Sequence, residues 1–441
     1  MPTVAYLGLD ISQADVSVCF LLGDGHEPGP RWTIPNSQPG GEQLSAGLAQ
    51  LCHTHHVDEL RIGLEATGLL WWHLACLLTN AAPLQPYCPQ VYVLNPHLVT
   101  TFRRNYGALP KTDRADAFLI AERIRFGRQL PPPFQMDLRY APLQRLTRFR
   151  FHLAHNLARE KSYFLSFLFL TFSSFGQVQP FGDPFGATSS AVLSELTTED
   201  LAQQSLEELA AYLQAQGHGH FAEPAALAET LQRAARDAYR LDQVLAEPLR
   251  IVLSTTLANI RSLTQQLKTL DKTIAVELQA IPQTLGSVPG LGPVWTAGLI
   301  AELGDIQRFA DDDAIAQFVG LTWPAHESGQ FQAEDTPLSQ RGNRYLRYYL
   351  VEAANSVRRH CPEYADYYAA KYAETPKHPH QRALVLTARK LVRLIDALLR
   401  SQALYRSPTE RAASGTAPVS ATRPAQRPQR QRRQRRAPAV T

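Results

Sequence analysis

The sequence predicts an α/β domain with a mixed sheet, then a helical arm and a mostly α block, and finally a basic tail. Three observations predict this order. Strand and helix signals alternate only between residues 3 and 127. Helical periodicity takes over after the Pro-Pro-Pro of 131–133. From 407 to 441 the chain is Pro- and Arg-rich and of low complexity, the composition of a disordered segment.

The elements follow in order. VAYLGLD (4–10) is a short apolar run that ends in an acid, and DVSVCFLL (15–22) alternates as a strand does. RWTIP (31–35) reads as a third strand. A Gly/Pro break leads to a helix around 41–52, ELRIGLEA (59–66) is the next strand, and GLLWWHLACLL (68–78) is a helix. QVYVLNP (90–96) is a strand stopped by Pro96, and a helix starts in KTDRADA (111–117). Three strands followed by alternating helices and strands imply a mixed sheet with helices on its faces.

From 141 to 172 the pattern is helical, with Leu143, Leu146, Phe149, Leu153 and Leu157 at three- and four-residue steps. A Gly/Pro/Ser loop spans 173–190, and helices resume at 198–214 and 223–280. Near-heptad leucines and isoleucines in 257–278 predict an antiparallel coiled-coil arm with an insertion at its tip. A third block opens with SVPGLGPVWTAGLIAELGD (287–305) and closes with a helix over 383–400.

The net charge of +4 is unevenly placed. Residues 401–441 hold nine arginines and one acid, so the first 400 residues are mildly acidic. Five cysteines (Cys19, Cys52, Cys76, Cys88, Cys361) show no CxxC spacing, which argues against a disulfide framework and a zinc ribbon and fits a reducing cytoplasm. The start of the chain lacks a signal-peptide pattern. The most apolar run, YFLSFLFLTFSSF (163–175), falls short of the roughly 20 residues of a bilayer span and reads as a buried or oligomeric helix face.

Four carboxylates stand out. Asp10 ends the first strand and Glu65 a later one, while Asp113 and Asp116 lie three apart on one helical face. Each alone has a structural reading, as a turn residue or as a partner of the helix dipole. Together they can converge at one end of a sheet. Mg²⁺ takes oxygen ligands, and two such ions can stabilise both oxygens of a phosphodiester displacement. Lys111 and Arg114 frame the helical pair and suit a nucleic-acid backbone.

In the third block, Gly290 and Gly292 form a Gly-x-Gly turn between helical signals, the pattern of a helix-hairpin-helix that offers N–H groups to a phosphate or of a plain structural hairpin. Arg341, Arg344 and Arg347 are spaced by three and interleaved with Tyr345, Tyr348 and Tyr349, a basic-aromatic face of the kind that binds nucleic acid.

YLGLDIS, GLEATG and KTDRADAFLIAERI resemble the DEDD-type insertion-sequence transposases, the bridge-RNA-guided recombinases of bacteria and archaea. GLTWPAHESGQF and LSQRGNRYLR extend the resemblance, which covers roughly residues 3–400. It implies an RNase H-like catalytic domain over 1–130, the arm with a helical insertion over 141–280 and a transposase domain with a serine loop over 281–402. The tail, 403–441, lies outside it. It implies Asp10, Glu65, Asp113 and Asp116 as ligands of a Mg²⁺ pair. It implies Ser328 as a nucleophile that attacks DNA phosphate, with Ser339 as the second candidate. The implied partners are donor and target double-stranded DNA, an element-encoded guide RNA, and further copies of the chain, as a dimer that pairs into a tetramer at the synapse. Glu327 and Gln330 beside Ser328 depart from the small residues of relatives, and QFQAEDTP is acidic where they are basic. Two other readings stay open: a metal-dependent nuclease like the Holliday-junction resolvases, and an inactive nucleic-acid scaffold.

Overall fold

Five strands form the sheet expected of the first block. They are β1 (Val4–Ile11), β2 (Asp15–Leu21), β3 (Trp32–Pro35), β4 (Glu59–Glu65) and β5 (Gln90–Leu94). The order across the sheet is β3-β2-β1-β4-β5. The first three strands pair antiparallel, while β1–β4 and β4–β5 pair parallel. The helices are α1 (Gln38–Thr54), α2 (Trp72–Asn80), α3 (Pro96–Arg103) and α4 (Asp113–Phe126). This computed structural model describes residues 2–413 except 108, 129, 136, 324–326, 329–330, 333–337, 340 and 375. The chain divides into two compact units, one up to Asp137 and one from Leu138 on.

Strand parity assigns the two faces of the sheet, because successive side chains point to opposite sides. Ala5, Leu7, Leu9 and Ile11 of β1 and Leu60, Ile62 and Leu64 of β4 pack in one cluster with Leu44 and Leu48 of α1 and Leu74 and Leu78 of α2. The even positions of β1 and odd positions of β4 face the other way. There Tyr6, Cys19, Tyr92 and Leu94 pack with Ala117, Ile120, Ala121 and Ile124 of α4. Gly8 and Gly63 are register partners on this second face. A Cβ on Gly8 would sit 1.9 Å from the Ala117 carbonyl oxygen, and one on Gly63 would sit 2.9 Å from Ile120 Cγ2. The two glycines let α4 rest directly on the sheet.

The second unit is helical. The long helices α5 (Ala141–Thr171) and α11 (Gln243–Gln279) enclose an insertion of α6 (Phe175–Val178), α7 (Ala187–Glu195), α8 (Thr198–Gln203), α9 (Leu206–Gln216) and α10 (Pro224–Asp237). Leu143 clusters with Ile274 and Leu278, Arg150 pairs with Asp271, and Phe164 and Leu168 cluster with Leu253, Leu257 and Ile260. That pairing order makes α5 and α11 antiparallel, so the near-heptad positions of α11 are buried within one chain. In the apolar run of 163–175, Phe164, Leu168, Phe172 and Phe175 are buried, while Tyr163, Leu165, Phe169 and Leu170 are exposed. No helix among the described residues is long and apolar enough to cross a membrane.

The third block contributes α12 (Pro293–Leu303), α13 (Asp312–Val319), a two-residue hairpin of β6 (Glu327–Ser328) and β7 (Phe331–Gln332), and α14 (Arg344–His360). Then follow α15 (Pro362–Ala373), α16 (Pro379–Ser401) and α17 (Pro408–Ala413). The segment before the Gly-x-Gly turn is a three-residue 3₁₀ turn, Leu285–Ser287, rather than a full helix. Just beyond 402 the chain bonds back to this block. The Tyr405 amide donates to Ser287 Oγ at 2.8 Å, and the tyrosine hydroxyl meets the buried Cys361 thiol at 3.1 Å. Residues 414–441 lie outside the described residues.

Gly8→Ala is expected to cost about 2–3 kcal/mol of stability, since the new methyl meets backbone that cannot yield. Gly47→Ala, exposed in α1 with open space around it, should be neutral or stabilising. Urea unfolding of the two variants against the parent chain measures the contrast.

Candidate metal centre and nucleic-acid interface

The parity that seats α4 also aims two acids at it. Asp10 lies two residues beyond Gly8 and Glu65 two beyond Gly63, so both carboxylates stand on the α4 face at the carboxyl ends of adjacent parallel strands. Leu9 and Leu64 are register partners, which makes Asp10 and Glu65 neighbours. Thr67 Oγ1 donates to Glu65 Oε1 at 3.1 Å and steadies it.

The helix begins at this corner. Thr112 is its N-cap and accepts from the Ala115 amide at 3.3 Å. Asp113 is therefore the first helical residue and is not the cap, and Asp116 shares its first turn. The left-handed Gly127 closes the other end. Arg31 Nη1 donates to the Arg114 carbonyl at 3.2 Å and its guanidinium lies over Phe118, which braces the helix start. Lys111 and Arg114 are exposed beside the acids, where the sequence placed them.

Electrostatics shows which acids meet. The Asp10 carboxyl is pushed up to about 6 by burial, then by the charges of Asp113 and Glu65, against smaller opposing effects of the Ile11 amide and Arg103. Asp10 is thus close enough to both Asp113 and Glu65 to feel their charges. Asp116 has a different partner, an ion pair with Arg103 at the end of α3. No three metal-ligating side chains among the described residues are grouped to share one ion. The donor chemistry nonetheless fits a hard divalent cation, because the corner offers only oxygen ligands and its negative charge is under-neutralised.

The arginine-tyrosine face divides. Arg341 and Arg344 are exposed, and Arg344 stacks over Tyr345 with its Nη2 donating to the tyrosine hydroxyl at 3.0 Å. Arg347 instead turns inward and donates to the Val319 carbonyl at 2.9 Å, and burial lowers its pKa. Tyr349 is fully buried and donates to the Thr147 carbonyl at 2.7 Å, while Tyr345 and Tyr348 pack edge-on against Phe151. Asn343 caps α14, accepting from the Tyr345 and Leu346 amides. Asn343 Nδ2 also donates to buried Glu302, which Arg148 holds through two bonds of 2.7 and 2.9 Å. Ser339 donates its amide to the Thr322 carbonyl.

Gly290 has φ +92, and a Cβ there would lie 2.9 Å from Val357 Cα, so it serves the packing of the turn against α14. Gly292 is the N-cap of α12 with open space beside it. The backbone of Ser328 lies in β6 opposite Phe331. Its side chain, His326 and Gln330 lie outside the described residues. Sequence reasoning missed Arg103, Thr67, Asn343 and the Glu302–Arg148 pair. Only Asn343, ahead of a basic-aromatic helix, carried a local signal, that of a cap residue.

The strand order and the acids at the corner are consistent with the RNase H-like class of phosphodiester-processing domains. Comparison with known proteins goes further. A transposase model, that of the DEDD transposases of the IS110 type, matches residues 7–173, and the model described as transposase IS116/IS110/IS902 family matches 283–369. Together they span more than half of the chain, which belongs to this family of insertion-sequence transposases. Similar proteins include the pilin gene-inverting protein of Moraxella bovis, 28% identical over 29% of this chain and 35% of its own length. The transposase for insertion sequence element IS1111A of Coxiella burnetii is 32% identical over 28% of this chain and 34% of its own. A 44.8 kDa uncharacterized protein of insertion element IS116 from Streptomyces clavuligerus is 29% identical over 40% of this chain and 45% of its own. The chain spans less than half the length of each of these relatives.

Three outcomes follow. An acid with a raised folded-state pKa holds its proton more tightly when folded, so stability falls as pH rises from 3.8 through about 6 and the penalty is complete above that. Asp10→Asn should therefore stabilise the metal-free protein at pH 7.5 by about 1–2 kcal/mol, after discounting for partial exposure, with the gain vanishing below about pH 4. Urea unfolding at the two pH values reads it. Arg347→Ala should lose about 1–2 kcal/mol of stability. Arg341→Ala and Arg344→Ala, both exposed, should leave stability unchanged.

Proposed function

We propose that this protein is a site-specific DNA recombinase of a mobile element, which cuts and rejoins strands with a Mg²⁺-dependent acid corner and a serine nucleophile. The observation that carries the reading is the convergence of Asp10, Glu65 and Asp113 from two adjacent strands and one helix, close enough that Asp10 is raised by both others. Family membership supports it, as does the name of the pilin gene-inverting relative, since inversion requires cutting and rejoining.

Asp10, Glu65 and Asp113, joined by Asp116, would hold the cation. When bound, the ion supplies Lewis-acid stabilisation of negative charge at the scissile phosphate. The chain's own residues do the rest. Thr67 orients Glu65, and the Thr112 cap fixes the turn that carries Asp113. Lys111 and Arg114 offer exposed positive charge to the phosphates flanking the corner. Arg341 and Arg344 do so in the second unit, and the amides around Gly292 give a further phosphate contact. Ser328 Oγ gives up its proton and attacks phosphorus, forming an O–P ester as the P–O bond to the departing strand breaks, and that strand's oxygen takes up one proton in exchange. Rejoining reverses the exchange with a different strand, so bond energy is kept without a nucleotide cofactor.

An element-encoded guide RNA would choose the donor and target sites by base pairing, with the protein gripping backbone and shape. The exposed Leu165, Phe169 and Leu170 of α5 support a homo-oligomer, a dimer that becomes a tetramer when two DNA sites are brought together.

The test is a trapping assay. Protein co-purified with its element RNA is given labelled matching DNA and Mg²⁺, denatured, and resolved for DNA bound covalently to protein. An adduct mapping to Ser328 is expected, lost in Ser328→Ala and in Asp113→Ala, and lost when the RNA is digested first. Cleavage with no adduct would instead mark a resolvase-like nuclease that uses water. An adduct that persists in Ser328→Ala and disappears in Ser339→Ala would move the nucleophile to the second serine.

A further inference from the structure

Resting on the metal-site reading above, we propose that Arg103 is an internal counter-cation of the acid corner, which holds Asp116 in the metal-free protein and must release it before the quartet can close on a divalent ion. Arg103 ends α3, the helix that leaves β5 beside β4. Its Nη2 forms the ion pair with Asp116 Oδ1. Its Nη1 donates to the Pro110 carbonyl at 3.4 Å, which ties the same guanidinium to the loop that leads into α4. The two paired side chains are only about a quarter exposed, so the pair is partly shielded from water. The same charge reaches Asp10 as well.

A guanidinium and a divalent cation compete for the same carboxylate oxygens. While Arg103 holds Asp116, the fourth acid is withheld from the other three. The arrangement keeps like charges from massing uncompensated at the corner before metal and substrate arrive. Once released, a guanidinium at this position has the planar fork that grips a phosphodiester through two oxygens. Metal entry and DNA capture are thereby linked through one side chain.

The experiment titrates Mn²⁺ into the full-length protein at pH 7.5 without DNA and follows free Mn²⁺ by electron paramagnetic resonance. Arg103→Gln should bind Mn²⁺ about tenfold more tightly than the parent, the size that removing one partly shielded competing charge supports. The tightening should vanish in the Asp116→Asn background, and Asp10→Asn should weaken binding in every background. A residue that merely buttresses α3 would weaken binding when replaced, so unchanged or weaker affinity in folded Arg103→Gln overturns the proposal while leaving the metal site standing if Asp10→Asn still loses Mn²⁺. Should Arg103→Gln not fold, Arg103→Lys keeps the charge without the fork and must still tighten binding by a smaller factor; no change there also overturns it. Parent-like Mn²⁺ binding by Asp10→Asn would remove the metal site and this inference together.

Discussion

Helix α4 can rest on the sheet only because two neighbouring strands present no side chain beneath it. Gly8 and Gly63 are paired in register, and either a methyl at Gly8 against the Ala117 carbonyl or one at Gly63 against Ile120 would force the helix away. The same two-residue repeat that puts these glycines under the helix puts Asp10 and Glu65 on its side of the sheet. One close approach thus fixes both the packing of the first unit and the distance between strand acids and helix acids. Function and stability share a contact here, which leaves little room to change one without the other.

The electrostatics of the corner follows from that geometry. Acids carried by two strands and a helix turn have been brought together without enough positive charge to balance them, and burial makes the imbalance felt at Asp10. Structural ion pairs elsewhere in the unit are balanced, as Glu122 is by Arg125 and Glu27 by Arg31. The corner differs in having acids left over. Arg103 partly offsets the excess.

In the second unit a buried charge performs the positioning. Glu302 sits inside the fold with Arg148 on one side and Asn343 on another, so α5, α12 and the start of α14 meet at one carboxylate. Breaking a buried pair of this kind is costly because the remaining charge has nowhere to go. Arg148 also lies over Tyr345, and Tyr345 lies under Arg344, so the exposed arginine at the head of α14 is presented by a stack anchored in the core. Arg347, one turn further along, is consumed by the Val319 carbonyl. Equal spacing in sequence gave these arginines unequal surroundings.

Much was legible in the sequence because it is local. Strand alternation, the helix start at Thr112–Asp113 and the heptad spacing of α11 are periodic signals that depend on neighbours along the chain. The repeated Gly-Leu-acid ending of β1 and β4 is such a signal, and it placed Asp10 and Glu65 as site residues together with Asp113. The sequence by itself determined the five strands of the first block, its longer helices and the family. Only the tertiary structure decided that Gly8 and Gly63 are a helix seat, that Asp116 pairs with Arg103, that Arg347 and Tyr349 serve the core and that Leu253, Leu257 and Leu278 of α11 are buried within one chain. Each of these rests on contacts between segments far apart in sequence, and no local pattern encodes which distant partner a charge or an apolar face will meet.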